Sequence, residues 1–297
     1  MREKCKKISY AALSIILCFT LGLFPTHKSE AKQQAYYKDK VIVLLYHHVA
    51  DQFHPTKPKG STVLTKQFRS HLKALQDNGY EVISMDDYIQ FALHDKPVPD
   101  NAVLLTFDDG YESFYTKAYP ILQQYEMPAT HFIVGYDTDL YNSDAYSHLT
   151  WDQMRDMKQN GMSFFNHTYN MHKQVDVGKG KKGALLSNRI YLEHTRRLET
   201  EAEYKRRIQA DLVFMEKRLQ QELGQQPMLL AFPYGAYNST VLKMGEALGF
   251  KLFFSLHEGI NDRHTRNVKR INAGSPNISA EQLLAKMKKY HQKQAAR

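Results

Sequence analysis

The chain has 297 residues, 42% hydrophobic and 24% charged, with 10 proline and 15 glycine, which excludes a collagen-like, low-complexity or wholly disordered polypeptide. Such a length accommodates two small domains or one α/β barrel of about 250 residues. The net charge of +9 points, in an exported chain, to solubility or to anionic wall polymers and lipid headgroups, and away from nucleic acid.

At the N-terminus Arg2, Lys4, Lys6 and Lys7 precede an uncharged, mostly apolar run over residues 8–24, and Ser29, Glu30 and Ala31 bring small residues at cleavage spacing. This predicts a secretory signal peptide over residues 1–31. The alternative is an uncleaved anchor, for which the run is shorter than the ~20 residues a spanning helix needs. Cys18 follows Leu17 and not a small residue, which argues against lipid attachment. Both cysteines, Cys5 and Cys18, lie in this segment, so the mature part, 32–297, has neither a disulfide nor a cysteine metal site. Cleavage removes five basic and two acidic residues and leaves +6.

After residue 32 a strand followed by a helix recurs. Residues 41–46 (VIVLLY) form a continuous β-branched and aliphatic run suited to a strand buried on both faces. Phe68, Leu72 and Leu75 then recur at helical spacing, with Gly79 where a helix C-terminus favours a left-handed residue. Residues 81–84 (EVIS) read as a second strand, and Ser84 with Asp87 opens another helix. Further strands are predicted at 102–107, 130–134, 162–165, 228–232, 250–255 and 268–272. Helices are predicted up to Tyr125, from Thr150, and over about 199–223. No internal repeat interrupts the pattern. Seven or eight strands separated by helices imply parallel pairing, and a distorted (β/α) barrel in a single domain is the preferred architecture over a large open sheet. Residues 175–197, with six Lys/Arg and three glycines, read as a basic loop insertion, either solvated or a flap at the mouth of a site.

In a parallel barrel reactive side chains follow the carboxyl ends of strands. Here those ends deliver His47 and His48, then Asp108, Asp109 and Gly110, then Asn166 and His167 with His172 five residues on, and finally Pro233, Tyr234 and Gly235. Two imidazoles and one carboxylate leave coordination positions open to water and substrate, as a catalytic divalent metal requires. His167, His172 and one of the aspartates fit that set, while the other aspartate suits a general base and a histidine across the cleft suits a general acid. Taken singly, His172 is an ordinary loop residue and Asp108-Asp109-Gly110 an ordinary acidic turn.

Together, TFDDG (residues 106–110), HTYNMH (167–172) and FPYG (232–235) resemble the successive motifs of the polysaccharide deacetylases, the NodB-homology or family 4 carbohydrate esterases. The resemblance covers most of the mature chain in the right order. It implies that Asp108 is the catalytic base, that Asp109, His167 and His172 bind one divalent metal ion, with Zn²⁺ preferred and Co²⁺, Ni²⁺ or Fe²⁺ compatible, and that Pro233 and the backbone at Tyr234 help hold an oxyanion. Two departures stand out. Ala231 occupies the place of the arginine that usually orients the base, and the usual Leu-x-His source of the acid is absent, since Leu256 and His257 are adjacent. Tyr46-His47-His48-Val49 instead resembles a circularly rearranged branch that deacetylates poly-N-acetylglucosamine of biofilm matrices, which implies His47, and not His48, as the acid.

The implied activity is that of a secreted hydrolase at the bacterial cell surface, a monomer, removing N-acetyl groups from poly-β-1,6-N-acetylglucosamine and releasing acetate. Trp151, the single tryptophan, is expected at a helix start on the same rim, where it either contacts a sugar ring or packs. Peptidoglycan or chitin as the polymer, and an impaired polysaccharide-binding protein of the same fold, remain open as alternatives.

Overall fold

The computed structural model describes residues 34–55, 60–143 and 145–295, so the expected signal peptide lies outside the described residues. The barrel strands in chain order are β1 (Val41–Tyr46), β2 (Glu81–Ile83), β3 (Ala102–Phe107), β4 (Thr130–Ile133), β5 (Ser163–Asn166), β6 (Leu229–Ala231), β7 (Leu252–Phe254), β8 (Asn267–Val268) and β9 (Ile271–Asn272). Every residue of β1 and β3 is buried, as their unbroken apolar sequences require of strands covered on both faces.

β1 pairs in parallel with β3 along its whole length, from Val41 opposite Ala102 to Tyr46 opposite Phe107. Parallel pairing continues through β4, β5, β6, β7 and β8. β9 returns to β1, Leu44 opposite Ile271. β8 and β9 are therefore one stave, interrupted at Lys269 and Arg270, that closes the ring. Counting them together gives seven staves, with β2 as an eighth parallel strand beside the first half of β3. The (β/α) barrel expected from the alternation forms within one compact unit. The antiparallel strand Ile260–Asn261 lies against the start of β1. Among the described residues no helix is long and apolar enough to cross a membrane.

Alternation along the staves sorts the core into two populations. Val41, Val43, Ala102, Leu104, Phe132, Phe165, Leu229, Ala231, Leu252, Phe254 and Val268 pack together with Tyr88 and Phe91 of the helix Met85–His94. The intervening residues, such as Ile42, Leu44, Val103 and Leu105, pack under other helices. Successive side chains of a strand point to opposite faces, so the first population fills the barrel. Continued one step past the strand ends, the inward parity falls on His47, Asp108 and His167, and between β8 and β9 it falls on Arg270.

Among the described residues four helix starts are capping boxes: Ser84 with Asp87, Thr150 with Gln153, Thr200 with Glu203, and Ser279 with Gln282. Gly79 has φ 71°, the conformation its place after the first helix calls for. Several strands are shorter than their apolar runs, because hydrophobicity marks burial and not the extent of pairing. The largest departure is in residues 175–197. Two antiparallel ribbons form there, Gln174–Asp176 with Lys182–Ala184 and Tyr191–Leu192 with Arg197–Leu198, so the segment is not the structureless loop its lysines and glycines suggest. It is tied down by the long helix Glu201–Leu223, from which Arg207 bonds Glu199 and the carbonyls of Leu185 and Asn188 and Tyr204 bonds the carbonyl of Leu186.

Candidate metal and catalytic site

The register of β1 on β3 places His47 and Asp108 side by side on the rim, and the Asp108 N–H donates to Tyr46 O at 3.1 Å. The chain then turns through Asp109 (φ 77°) and Gly110 (φ 82°). For an aspartate this left-handed backbone is costly, and such costs concentrate at functional sites. It separates the neighbouring carboxylates: Asp108 keeps the inward parity, while Asp109 meets the histidines. Asp109 Oδ1 lies 3.5 Å from His167 Nε2 and 3.2 Å from His172 Nε2. One donor atom from each of the three residues falls within 4.8 Å of the others.

The donor chemistry fits a divalent metal. His167 Nδ1 lies 2.9 Å from the Ala231 carbonyl, an acceptor only, so Nδ1 is the donor there and Nε2 is the nitrogen turned to the site. Asp109 Oδ1 is buried with no hydrogen bond, an arrangement that is costly without a cation. Although burial pushes Asp109 up, His167 and His172 outweigh it and hold the carboxyl well below its usual range. His172 titrates above an ordinary histidine because the attraction of Asp109 exceeds the cost of its burial.

Asp108 is held otherwise. Its two oxygens accept from Arg270 Nη1 and Nη2 at 2.7 and 2.8 Å, and the guanidinium, itself 1% exposed, is steadied by Nε donating to Ser255 O at 3.0 Å. Burial favours the neutral acid, yet Arg270 and His167 prevail and Asp108 stays ionised below the normal carboxylate range. Arg270 thus places a guanidinium on Asp108 where Ala231 offers none. A hint of it was present in the sequence: Arg270 falls inside the last expected strand, residues 268–272, where an inward-pointing charge is tolerable only when paired. The sequence reading also missed His131 on β4, which is fully buried; its Nε2 lies 2.9 Å from Gly110 N and 3.0 Å from Asp108 O and braces the turn.

His47 is half-buried, its Nδ1 is buried with no hydrogen bond, and desolvation lowers its pKa against the opposing pull of Asp109 and Asp108. His48 faces elsewhere. Its ring stacks on Tyr146 at 4.1 Å and meets Tyr111 edge-on at 5.3 Å, in the wall of a cleft of about 420 Å³ that Asp109, His148 and His172 also line. Across His172, the Tyr234 ring lies 4.5 Å away and is 43% exposed. Tyr234 has φ 59° in the turn Pro233–Gly235, whose Gly235 and Ala236 N–H groups bond Phe232 O and Pro233 O. Among the described residues the Tyr234 N–H donates to no backbone carbonyl.

Trp151 does not join this group. Its indole N–H donates to Asp139 Oδ1 at 2.7 Å and Arg218 covers its ring at 5.2 Å, so the ring has packing partners within the fold. A half-buried indole needs an acceptor for its N–H, and Asp139 supplies it away from the cleft.

The polysaccharide deacetylase family model matches residues 95–253, a span that excludes both His47 and Arg270. A poly-β-1,6-N-acetyl-D-glucosamine N-deacetylase of Escherichia coli O157:H7 is 29% identical over 286 residues, covering 90% of this chain and 42% of the relative. The chain therefore spans about two fifths of that relative's length. A Staphylococcus aureus protein of the same name is 26% identical over 272 residues, covering 86% of this chain and 87% of its own. The structure of a de-N-acetylase from Aggregatibacter actinomycetemcomitans superposes with a TM-score of 0.75 at 29% identity, over 85% of this chain and 100% of that one.

Proposed function

Because the chain belongs to the polysaccharide deacetylase family, we propose that it is a metal-dependent hydrolase that removes N-acetyl groups from poly-β-1,6-N-acetylglucosamine outside the cell. The observation that carries this reading is the pairing of a three-residue donor set, Asp109, His167 and His172, with an adjacent carboxylate held by Arg270, beside a cleft that Asp109 and His172 line. Relatives named for that polymer from two genera support the choice of substrate.

Two imidazoles and a carboxylate oxygen suit Zn²⁺ foremost and also Co²⁺, Ni²⁺ or Fe²⁺; when bound, such a cation supplies Lewis acidity at the acetyl carbonyl and acidifies a water. Asp108 accepts a proton from the attacking water as the oxygen bonds to the acetyl carbon. The two hydrogen bonds from Arg270 fix the orientation of the carboxylate and keep it ionised for that purpose. The Tyr234 N–H serves as a donor to the developing oxyanion. His47 gives its proton to the nitrogen as the C–N bond breaks, since an amide nitrogen departs poorly unless protonated. Acetate and a glucosamine amine result. The aromatic wall of His48, Tyr111 and Tyr146 flanks the sugar, and aromatic faces suit the apolar sides of pyranose rings.

Export through the N-terminal segment, and retention at the surface by attraction of a basic protein to anionic polymers, complete the reading. Retention by exposed lysines should fall as salt rises past ~0.15 M, where the screening length is about 8 Å, while turnover of short acetylated oligomers changes little. The deciding experiment measures acetate release from β-1,6-linked N-acetylglucosamine oligomers, chitin oligomers and peptidoglycan by metal-loaded protein and by Asp108→Ala. The expected result is release from the β-1,6 oligomers foremost, lost in the variant. Faster release from either other polymer would reassign the substrate. No release from any of them would leave a binding protein.

A further inference from the structure

The loop of residues 167–172 carries two of the three metal donors, yet beyond Asn166 it has no strand to hold it. Its backbone is held from both sides. The His167 N–H donates to Ile133 O, and the carbonyls of Thr168 and Tyr169 accept from the Gly135 and Tyr136 N–H groups at 3.1 and 2.7 Å. On the opposite side stands the helix Glu201–Leu223. Asp211 from that helix receives two successive loop amides, Tyr169 N–H at Oδ1 and Asn170 N–H at Oδ2, each at 2.8 Å. One turn further, Glu216 Oε1 accepts from Asn166 Nδ2 at 2.8 Å, and Asn166 Oδ1 accepts the Thr168 N–H at 2.7 Å. Thr168, a β-branched residue, is held at φ 70°, a conformation that persists only where its surroundings over-determine it. Gly135 permits the sandwich: a Cβ there would lie 2.5 Å from Met215 Sδ and 2.6 Å from the Tyr169 ring.

We propose that Asp211 is a positioning residue for the metal site, setting the relative aim of His167 and His172 by fixing the two amides between them. The inference rests on the metal reading above. Asp211 touches neither histidine ring in any hydrogen bond of the structure; it acts through the backbone, as outer partners of metal ligands do when they orient the donors. Two amides converging on one carboxylate define the plane of the loop, which a single acceptor does not.

The test titrates Co²⁺ into metal-stripped full-length protein against a chromophoric chelator and records the visible Co²⁺ spectrum. Asp211→Asn, which keeps the shape and one acceptor, should weaken Co²⁺ binding about 10-fold, and Asp211→Ala by about 10- to 100-fold, each with a shifted or broadened Co²⁺ band. Glu222→Gln on the same helix, where Glu222 pairs with Arg155 and Arg218, should lower thermal stability without moving affinity or spectrum. Co²⁺ affinity within twofold of the parent and an unchanged band in both Asp211 variants would overturn the proposal, even with a lowered Tm. Should Asp211→Ala fail to fold, Asp211→Asn decides alone. If the parent bound no Co²⁺, the metal reading and this inference would fall together, whereas binding by the parent with unaffected variants would remove this inference only.

Discussion

Two turns build the site and are held in opposite ways. The turn of residues 108–110 is fixed from within the barrel: its register comes from β1 and β3, Arg270 grips Asp108 from the closing stave, and His131 reaches its backbone from β4. The loop of residues 167–172 is fixed from outside, by Asp211 and by the amides of Gly135 and Tyr136. The first is determined by strand pairing, which is cooperative across the whole ring. The second depends on a few separate hydrogen bonds from backbone and side chains, each worth only about 0.5–1.5 kcal/mol net, somewhat more to a charged partner. Loosening the barrel's grip on Asp108 should therefore strike the proton transfer, while loosening the second turn should strike the metal.

The largest expected effect separates the two aspartates. Asp109→Ala should lose bound metal and activity together, whereas Asp108→Ala should lose activity by at least 10³-fold with metal content retained. Metal analysis beside acetate release reads both, and equal metal loss in the two variants would mean that the turn acts as one unit.

Next in size is His47→Ala, expected to cost 10²- to 10⁴-fold in turnover at near-normal metal content, with a smaller loss for His48→Ala. An equal or greater loss from His48→Ala would move the acid to the cleft wall.

Arg270→Met addresses the barrel side directly. It leaves a buried carboxylate without its partner, a loss of about 3–5 kcal/mol when such pairs are broken. The sign of the pH response follows. In the parent, Asp108 is held below the normal carboxylate range despite its burial, so its stabilisation is present above the unfolded pKa of about 3.9 and is lost as pH falls through the folded value. In the variant burial acts with less opposition and raises the pKa, so stability is greatest at low pH and declines as pH rises through about 4. Tm of metal-free protein between pH 3.5 and 7 should slope less steeply upward in the variant, or downward; parallel profiles would deny Arg270 its role.

Smallest is Trp151→Phe, which removes the N–H bonded to Asp139 and should cost about 1 kcal/mol of stability with kcat/KM changed less than twofold. A tenfold rise in KM for acetylated oligomers would return Trp151 to the substrate.

The apolar runs and capping residues alone sufficed for the alternation of strands and helices, because burial on both faces and helix-end hydrogen bonding are properties of a few neighbouring residues. The same locality made Asp108, Asp109, His167, His172 and His47 legible, since each directly follows a strand or lies within a compact motif. Arg270, His131 and Asp211 were not legible as parts of the site. Their partners are 162, 21 to 23 and 41 to 42 residues away in sequence, and only ring closure and helix docking bring such groups within hydrogen-bond reach. The ribbons within residues 175–197 were hidden for a related reason: two- and three-residue strands carry almost no hydrophobic pattern of their own and are held by anchors on a helix that comes later in the chain. Local chemistry is written in local sequence, whereas the orientation of a base or a ligand depends on contacts that exist only once the barrel has closed.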